Sequence, residues 1–392
     1  MDEKRIKVRT IIFTEACPLN CRYCDLKNDS GFSKSPPMTK EQIFSLVEEF
    51  DKEDNPEIIE TRLLFSGGEP FLYWDWIKEI IELYGQRFQY AFNTCGYLLT
   101  DEILEFLANY RTSLVLSVDG NEKLTNYLRP VIASPYHTGY YKRLKEILPS
   151  ILFYFPNTPY KMIVHPRYVD LLHEMYLNAA DLGFKYFSFI LDFESRPDRE
   201  IPKDKELVYW NDNYTAILSE QLDLIIQDII IGYAQNQALP RVLELDKIIT
   251  YLMARKSFSS KNLPCQLFNN RTLTTLYNPE KTDMNCFSGS DFKTLDEVEA
   301  QLNFQYLCHE KICDRDAECP AFEYCALHCC PQLSYMNSGR FFDFDYLECA
   351  VNKVCYKGAI KLLSVANDIC PNSTAYKSYL NSFEYDGKWR VF

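Results

Sequence analysis

Short runs of apolar residues, rich in valine, isoleucine and aromatic side chains, alternate with helical patterns over the first half of the chain. Such runs are typical of strands that are buried on both faces of a parallel sheet. We predict six strands, at Val8–Phe13, Arg62–Phe65, Tyr90–Asn93, Leu114–Val118, Tyr160–His165 and Tyr186–Leu191. Six βα units predict an α/β fold, either a partial barrel or a doubly wound sheet. In both arrangements the functional loops follow the carboxyl ends of the strands.

Polar residues and a glycine predict where two of the helices begin and end. The helix Thr39–Phe50 is predicted to begin with a capping box, because Thr39 is followed three residues later by Gln42. The helix Val169–Leu182 is predicted to end at Gly183, since glycine readily adopts the left-handed backbone that terminates a helix.

The pattern becomes wholly helical from Asp204 to Lys256, where apolar residues form one stripe and Pro240 separates two helices. The stripe consists of Leu218, Leu222, Ile225, Ile226, Ile229 and Ile230. After Leu263 helical periodicity fades until about Tyr356, and eleven of the fifteen cysteines follow Leu263. A domain held by metal needs little apolar core of its own. The chain is therefore predicted to comprise a βα core (1–203), a helical bridge (204–262) and a small cysteine-rich domain (263–392).

The charge balance and the amino terminus exclude several classes of protein. A formal net charge of −13 argues against a nucleic-acid-binding protein, which would present a basic face to phosphates. The amino terminus, MDEKRIKVRT, lacks the apolar segment of a signal peptide, and no uncharged apolar run reaches the ~18 residues that span a bilayer. We therefore expect a cytoplasmic protein with no nucleic-acid or membrane partner. In a reducing compartment, fifteen cysteines favour metal ligation over disulfides.

Three cysteines, Cys17, Cys21 and Cys24, follow the first predicted strand within eight residues. A [4Fe–4S] cube needs four ligands, so three thiolates can hold it and leave one iron open to a small chelating ligand. The Cys21–Cys24 pair alone also matches the CxxC of zinc sites and of redox pairs. By themselves these residues leave all three possibilities open.

The spacing of the three cysteines, with an aromatic Tyr23 before the third and a strand before the first, resembles the radical SAM superfamily. The resemblance extends to Gly67–Pro70 after the second strand. It includes Asn93–Gly96, which is similar to the family's Thr-Asn-Gly turn, and Leu116–Gly120, which is similar to its Ser-x-Asp-Gly segment. The resemblance implies a partial (β/α)6 barrel whose three cysteines hold a [4Fe–4S] cluster.

The resemblance also assigns residues to S-adenosylmethionine. Gly67 and Gly68 would permit close backbone approach, and Glu69 would be the anionic partner of the cofactor's ammonium. Arg129 is a candidate for binding its carboxylate, which suits a planar guanidinium, and a surface ion pair is the alternative for this residue. The full set of cofactor-binding residues that the resemblance implies is Tyr23, Gly67, Gly68, Glu69, Pro70, Asn93, Ser117 and Arg129.

The carboxy-terminal cysteines lack the paired CxxC knuckles of a zinc ribbon, and their order resembles the SPASM domain, which binds two auxiliary [4Fe–4S] clusters. The chain departs from that pattern in one gap of five residues instead of two, and in lacking the glycine before the second early cysteine. The resemblance implies the auxiliary ligands Cys265, Cys286, Cys313, Cys319, Cys325, Cys329 and Cys349. Cys308 or Cys330 could supply one more ligand, or one iron could stay open. We expect Cys95, Cys355 and Cys370 to be ordinary buried thiols.

By this resemblance the chain is expected to cleave S-adenosylmethionine reductively to a 5′-deoxyadenosyl radical, which abstracts hydrogen from a residue of a peptide substrate. The product would be a crosslink or an oxidation in a ribosomally made peptide. One alternative is a sulfatase maturase that forms formylglycine, although that class usually has an aspartate where this chain has Phe287. The other is a non-catalytic iron–sulfur electron-transfer protein. The expected partners are a peptide or protein substrate, a leader-binding protein and an external electron donor of the flavodoxin or ferredoxin type.

Overall fold

The computed structural model describes residues 5–24, 38–52, 58–132, 138–192, 210–254, 276–277 and 346–383. These residues form two compact units. Unit 1 contains the described residues as far as Val118, those within Glu122–Thr158, and the pair 276–277. Unit 2 contains Asp119–Asn121 and the described residues that follow Thr158, apart from that pair.

The strands within these ranges are β1 (Arg5–Ile12), β2 (Ile58–Ser66), β3 (Gln89–Thr94), β4 (Thr112–Ser117), β5 (Tyr160–Val164), β6 (Tyr186–Leu191), β7 (Arg241–Val242) and β8 (Leu276–Tyr277). The α-helices are α1 (Lys40–Lys52), α2 (Trp74–Tyr84), α3 (Asp101–Ala108), α4 (Glu122–Leu128), α5 (Tyr140–Tyr154), α6 (Leu172–Asp181), α7 (Asp212–Ala234), α8 (Leu243–Ala254), α9 (Tyr346–Ile369) and α10 (Thr374–Asn381). The alternation of strands and helices confirms the predicted α/β class. All six predicted strands are present as β1 to β6, with small shifts at their ends.

Unit 1 is built on a parallel sheet with the strand order β4-β3-β2-β1-β8. Strands β1 and β2 stay in register from Ile6 opposite Glu60 to Ile12 opposite Ser66. Because the strands are parallel and neighbouring, the loops that follow their carboxyl ends leave the sheet side by side. The cysteine loop follows β1, and the Gly67–Pro70 segment follows β2.

An aromatic layer supports this edge of unit 1. The rings of Phe13 and Phe65 stack with centroids 5.4 Å apart, and Phe65 stacks on Phe92 at 5.1 Å. Phe71, just after the Gly67–Pro70 segment, adds a tilted contact to Phe92 at 5.0 Å. All four side chains are buried. Such ring pairs each contribute about 0.5–1.5 kcal/mol beyond their burial, so the layer joins the ends of three strands to the loop that follows β2.

The predicted helix signals are confirmed with one difference. The Thr39 amide donates to Gln42 Oε1 at 2.8 Å and the Gln42 amide to Thr39 Oγ1 at 3.3 Å, which is the reciprocal pattern of a capping box. Gly183 has φ +86°, as expected of a helix terminator. The helix predicted from Val169 instead begins as a 3₁₀ helix over Pro166–Leu171, which proline can start because it needs no amide partner there.

Unit 2 contains the parallel strands β7, β6 and β5, in that order. The short strand β7 lies within the region predicted to be wholly helical. It follows Pro240, which cannot continue a helix, and the Arg241 amide donates to the carbonyl of Lys185 at 2.9 Å beside β6. Two residues of strand are too few to produce a readable alternation of apolar and polar positions, which explains the difference.

The helices of unit 2 pack through the predicted apolar stripe. All six stripe residues of α7 are buried. Helix α9 approaches so closely that a Cβ at Gly358 would lie 3.0 Å from Ile226 and 3.1 Å from Leu222. Helix α9 begins at Tyr346, before the return of helical periodicity expected near Tyr356. The boundaries of the three predicted domains stay predictions. Among the helices in the described part of the chain, none is long and apolar enough to cross a membrane.

Candidate functional site

The cysteine loop is held against the segment that follows α4. Asn20 donates its amide to the carbonyl of Pro130 at 2.8 Å, and the Ile132 amide donates to Pro18 at 2.9 Å. Leu19 and Val131 form an antiparallel bridge. These bonds fix the backbone between the first two cysteines, and Cys17, Cys21 and Cys24 are each partly exposed, so their sulfurs can reach a ligand.

A backbone amide and a guanidinium donate hydrogen bonds to sulfurs of this loop. The amide of Leu19 donates to Cys17 Sγ at 3.4 Å, and Arg129 Nη1 donates to Cys21 Sγ at 3.8 Å. The guanidinium carbon of Arg129 also lies 5.3 Å from the ring centroid of Tyr23. Arg129 is only 7% exposed, so its position differs from the surface ion pair weighed as the alternative. Donors at a cysteine sulfur stabilise the thiolate, which is the form that binds metal.

The Gly67–Pro70 segment is hydrogen-bonded to the start of the cysteine loop. The Gly68 amide donates to the carbonyl of Thr14 at 2.8 Å, and the Glu69 amide donates to Ala16 at 2.9 Å. A Cβ at Gly68 would lie 2.0 Å from the carbonyl oxygen of Ala16, and Gly67 has φ +113°. Only glycine allows this approach, so the loops after β1 and β2 form one rigid pair immediately before Cys17.

The carboxylate of Glu69 points into unit 1 and is only 1% exposed. Its Oε1 accepts from Thr94 Oγ1 at 2.7 Å and from the Phe71 amide at 3.3 Å. Its Oε2 accepts from both the amide and the Sγ of Cys95, each at 2.9 Å. A carboxylate has about four acceptor positions, and all are filled by this chain. Burial raises the pKa of Glu69, while the hydrogen bonds from Cys95 and Thr94 oppose that shift.

This geometry differs from the expectation that Glu69 faces the cofactor's ammonium. The carboxylate instead joins the loop after β2 to the end of β3, because its four donors come from those two segments. Asn93 and Ser117 are partly exposed, as a contact with a ligand would require. Asn93 Nδ2 donates to Ser66 Oγ at 3.4 Å, and the backbone carbonyl of Ser117 accepts from the Tyr140 hydroxyl. Pro70 is buried at the first position of a short 3₁₀ helix.

Residues 11–170, which include the cysteine loop and the Gly67–Pro70 segment, match the family model of the Radical SAM superfamily. The chain contains a radical SAM domain. This domain implies S-adenosylmethionine and a [4Fe–4S] cluster as cofactors. The predicted resemblance of the amino-terminal half to this superfamily is thereby confirmed.

Curated relatives of the radical SAM domain share limited parts of their sequence with it. The radical SAM cyclopropyl synthase TigE of Paramaledivibacter caminithermalis is 25% identical over 141 residues, which cover 32% of this chain and 29% of TigE. The 7-carboxy-7-deazaguanine synthase of Methanocaldococcus jannaschii is 33% identical over 94 residues, covering 21% of this chain and 38% of that protein. The chain thus spans less than half the length of either relative.

Solved structures resemble the chain over a larger share of its length. The structure titled native anSMEcpe with bound AdoMet has a TM-score of 0.67 at 18% identity, covering 92% of this chain and all of that chain. Streptococcus suis SuiB bound to precursor peptide SuiA has a TM-score of 0.54 at 14% identity, covering 87% of this chain and 75% of SuiB. At these identities the similarity shows the fold, and it confirms the predicted partial-barrel class.

The cysteines of the radical SAM domain fit the implied cluster. Among the described residues, no three or more His, Cys, Asp or Glu side chains converge on one point that could hold a single metal ion. A zinc ion would draw all its ligands to about 2.3 Å from one centre, whereas each thiolate of a [4Fe–4S] cube binds a different iron. Three partly exposed cysteines on one loop, with hydrogen-bond donors at the sulfurs of Cys17 and Cys21, can supply three such thiolates.

The predicted auxiliary ligands lie mostly outside the described residues. Cys349 is the exception, and it is a partly exposed residue near the start of α9. The ligands outside the described residues are Cys265, Cys286, Cys313, Cys319, Cys325 and Cys329, as are the further candidates Cys308 and Cys330. The SPASM assignment stays a prediction. Cys355 and Cys370 are buried as expected, and Cys370 Sγ donates to the carbonyl of Ala366 at 3.1 Å.

Two chemically distinctive positions were not singled out by the sequence. The first is Cys95, which was expected to be an ordinary buried thiol but contacts both Glu69 and Cys17. The sequence feature that could have drawn attention to Cys95 is its position, because the family's turn has asparagine there. The second is Glu244 in unit 2, which no motif marked.

Glu244 is a buried carboxylate beside β6. Its Oε1 accepts from Ser188 Oγ at 2.8 Å and from the amide of Phe189 at 3.3 Å. Its Oε2 is buried and has no hydrogen-bond partner in the part of the chain that the structure describes. Burial raises the pKa of Glu244 to about 7, with the bond from Ser188 opposing the shift.

His165, at the end of β5, is held neutral. Its Nδ1 accepts from the amide of Arg167 at 3.1 Å, and its Nε2 lies 3.8 Å from Asp192 Oδ2. Burial lowers the pKa of His165 to about 4. The accepting Nδ1 requires the neutral tautomer with its hydrogen on Nε2. This residue therefore has a structural role.

Proposed function

We propose that the chain is a radical SAM enzyme that reductively cleaves S-adenosylmethionine and abstracts hydrogen from a residue of a peptide substrate. The observation that carries the proposal is the rigid pairing of the Gly67–Pro70 segment with the cysteine loop through Thr14 and Ala16. An iron–sulfur protein that only transfers electrons needs the cysteines. It does not need a second loop that is hydrogen-bonded to the cysteine loop. The pairing therefore supports catalysis over simple electron transfer.

In this proposal the chain's own residues bind the cluster, orient S-adenosylmethionine and exclude water from the site. Cys17, Cys21 and Cys24 supply three thiolates, which leave one iron of a [4Fe–4S] cluster open to S-adenosylmethionine. When bound, the cluster and S-adenosylmethionine together supply a 5′-deoxyadenosyl radical. Arg129, which contacts Cys21 and Tyr23, would bind the carboxylate of S-adenosylmethionine beside the cysteine loop.

The loops after β2, β3 and β4 complete the proposed cofactor site. The backbone of Gly67 and Gly68 would approach the cofactor closely because neither residue carries a Cβ. Asn93 and Ser117 would contribute polar groups, since both are partly exposed at the carboxyl ends of neighbouring strands. Glu69 would act indirectly by holding the loop, because its carboxylate is filled by internal donors.

A peptide substrate is supported by the structural neighbours. One is titled anSMEcpe with bound AdoMet and Cp18Cys peptide, and another is SuiB bound to its precursor peptide SuiA. We propose that this chain likewise modifies a peptide, giving a crosslink or an oxidation. The predicted auxiliary ligands after Leu263 would hold clusters that accept one electron as the substrate is oxidised, and a flavodoxin or ferredoxin would supply the electron that cleaves S-adenosylmethionine. These assignments rest on the SPASM resemblance of the sequence.

Sulfatase maturation is the second candidate, favoured by the similarity to anSMEcpe over the whole length of that chain. Phe287 weighs against it, because a benzyl side chain cannot act as the base that an aspartate would provide at that position. The two candidates differ in product. A cysteine peptide converted to formylglycine loses its sulfur, whereas a crosslink or desaturation retains sulfur and loses hydrogen.

The test begins with anaerobic reconstitution of the full chain, an iron count, and an assay for 5′-deoxyadenosine with dithionite as the reductant. We expect nucleoside to form with wild-type protein, and Cys24→Ala to form none. Wild-type protein with a full complement of iron but no nucleoside would contradict the enzyme proposal and favour the electron carrier. Mass spectrometry of peptides encoded beside the gene, after incubation with S-adenosylmethionine, then separates the two candidate products.

A further inference from the structure

Cys95 stands in the turn after β3, where the family's Thr-Asn-Gly turn has asparagine. Its side chain is buried, with 6% of the residue exposed. The backbone is fixed on both sides of the sulfur, because the Cys95 amide donates to Glu69 Oε2 at 2.9 Å and its carbonyl accepts from the Tyr140 hydroxyl at 2.8 Å. The backbone that carries this thiol is therefore held in place.

The thiol of Cys95 meets two acceptors. Its Sγ lies 2.9 Å from Glu69 Oε2. Cys17 lies beside this pair, because the Glu69 amide donates at 2.9 Å to the carbonyl of Ala16, the residue before Cys17, and the side chain of Cys17 interacts with the thiol of Cys95. Cys17 is the first of the three cluster ligands proposed above, and a ligand to iron is a thiolate without a hydrogen of its own. When Cys17 binds iron, the only hydrogen between these two sulfurs is the one on Cys95.

We propose that Cys95 is a positioning residue whose S–H is shared between Glu69 and the Cys17 sulfur, and that this hydrogen bond raises the reduction potential of the amino-terminal cluster. The inference rests on the proposed function. Reduction adds a negative charge to a cluster that already has thiolate ligands. A donor at a ligand sulfur stabilises that added charge, so it makes the cluster easier to reduce.

The experiment is a potentiometric titration of the reconstituted full chain, followed by electron paramagnetic resonance. The relevant cluster is identified as the one whose signal changes on addition of S-adenosylmethionine. We expect Cys95→Ala and Cys95→Val, which both lack a donor, to shift its midpoint to more negative potential. Cys95→Ser keeps a donor and should remain nearer to the wild type. The matched control is Cys370→Ala, which removes a buried thiol that donates to a helix carbonyl, and it should leave the midpoint unchanged.

Two donor-free variants are used so that the test does not depend on one variant folding correctly. Valine fills the space of the thiol, and alanine avoids a branched side chain. A wild-type midpoint in either of them would overturn the inference while leaving the proposed function intact. A shift of equal size in Cys95→Ser would also overturn it, since the effect would then come from packing. A wild-type chain with no signal that responds to S-adenosylmethionine would overturn the proposed function, and this inference with it.

Discussion

Gly68 provides the sharpest test of the claim that two loops form one rigid pair. An alanine Cβ there would lie 2.0 Å from the carbonyl oxygen of Ala16, which is backbone and cannot rotate away. The loop would have to move, and the bonds from the Gly68 amide to Thr14 and from the Glu69 amide to Ala16 would lengthen or break. Two such bonds contribute about 1–3 kcal/mol, and overpacking adds a similar penalty. We expect Gly68→Ala to lower the free energy of unfolding by about 2–6 kcal/mol.

Gly139→Ala is the matched control for this change. Gly139 has φ −61°, and a Cβ there would meet first the amide end of Asn126, a movable side chain, at 3.3 Å. This variant should cost less than about 1 kcal/mol. Both variants are compared with wild type by anaerobic chemical denaturation, and by the cluster signal that responds to S-adenosylmethionine. The reasoning is refuted if Gly68→Ala is as stable as Gly139→Ala and keeps that signal.

Three further outcomes follow from particular residues. Cys24→Ala should abolish nucleoside formation while Cys325→Ala chiefly stops peptide product, and equal nucleoside loss in both would argue against separate clusters. Because the folded pKa of Glu244 is raised to about 7 from 4.5, stability falls as pH rises through that window. Glu244→Gln should remove this loss, so its stability relative to wild type should rise by about 3 kcal/mol between about pH 4.5 and 7 in denaturation experiments, and a difference that does not change with pH would contradict the reasoning. Thr39→Ala should cost about 1 kcal/mol in the same experiment by opening the capping box, and an unchanged value would show that the cap contributes nothing.

The elements that were predictable are those encoded locally. The strands could be recognised because short segments rich in valine, isoleucine, leucine and aromatic residues mark buried parallel strands. The start of α1 was predictable because the side chains of Thr39 and Gln42 accept hydrogen bonds from each other's backbone amides within one turn. The strand β7 was missed because Arg241–Val242 pairs with β6 through two residues only, which is too short for any periodic pattern.

The features of the candidate site also include some that were predictable from the sequence and some that were not. The cysteines and glycines could be assigned from the sequence because spacing and the absence of a Cβ are properties of the residues themselves. The direction of the Glu69 side chain was not predictable, since it depends on donors at Thr94 and Cys95, at the end of another strand and in the turn that follows it. The contact of Cys95 with Cys17 is likewise a property of the assembled sheet.

The parallel register of β1, β2 and β3 explains why these distant residues act together. Neighbouring parallel strands end at one edge, so the loop with Cys17, the loop with Glu69 and the turn with Cys95 lie next to one another. Glu69 occupies the middle loop, where its amide bonds to the first and its carboxylate to the third. A carboxylate in this position couples the glycine segment to the thiol beside Cys17. The edge of the sheet therefore behaves as one cooperative unit, in which a change at the middle loop reaches the cysteines on one side and the turn on the other.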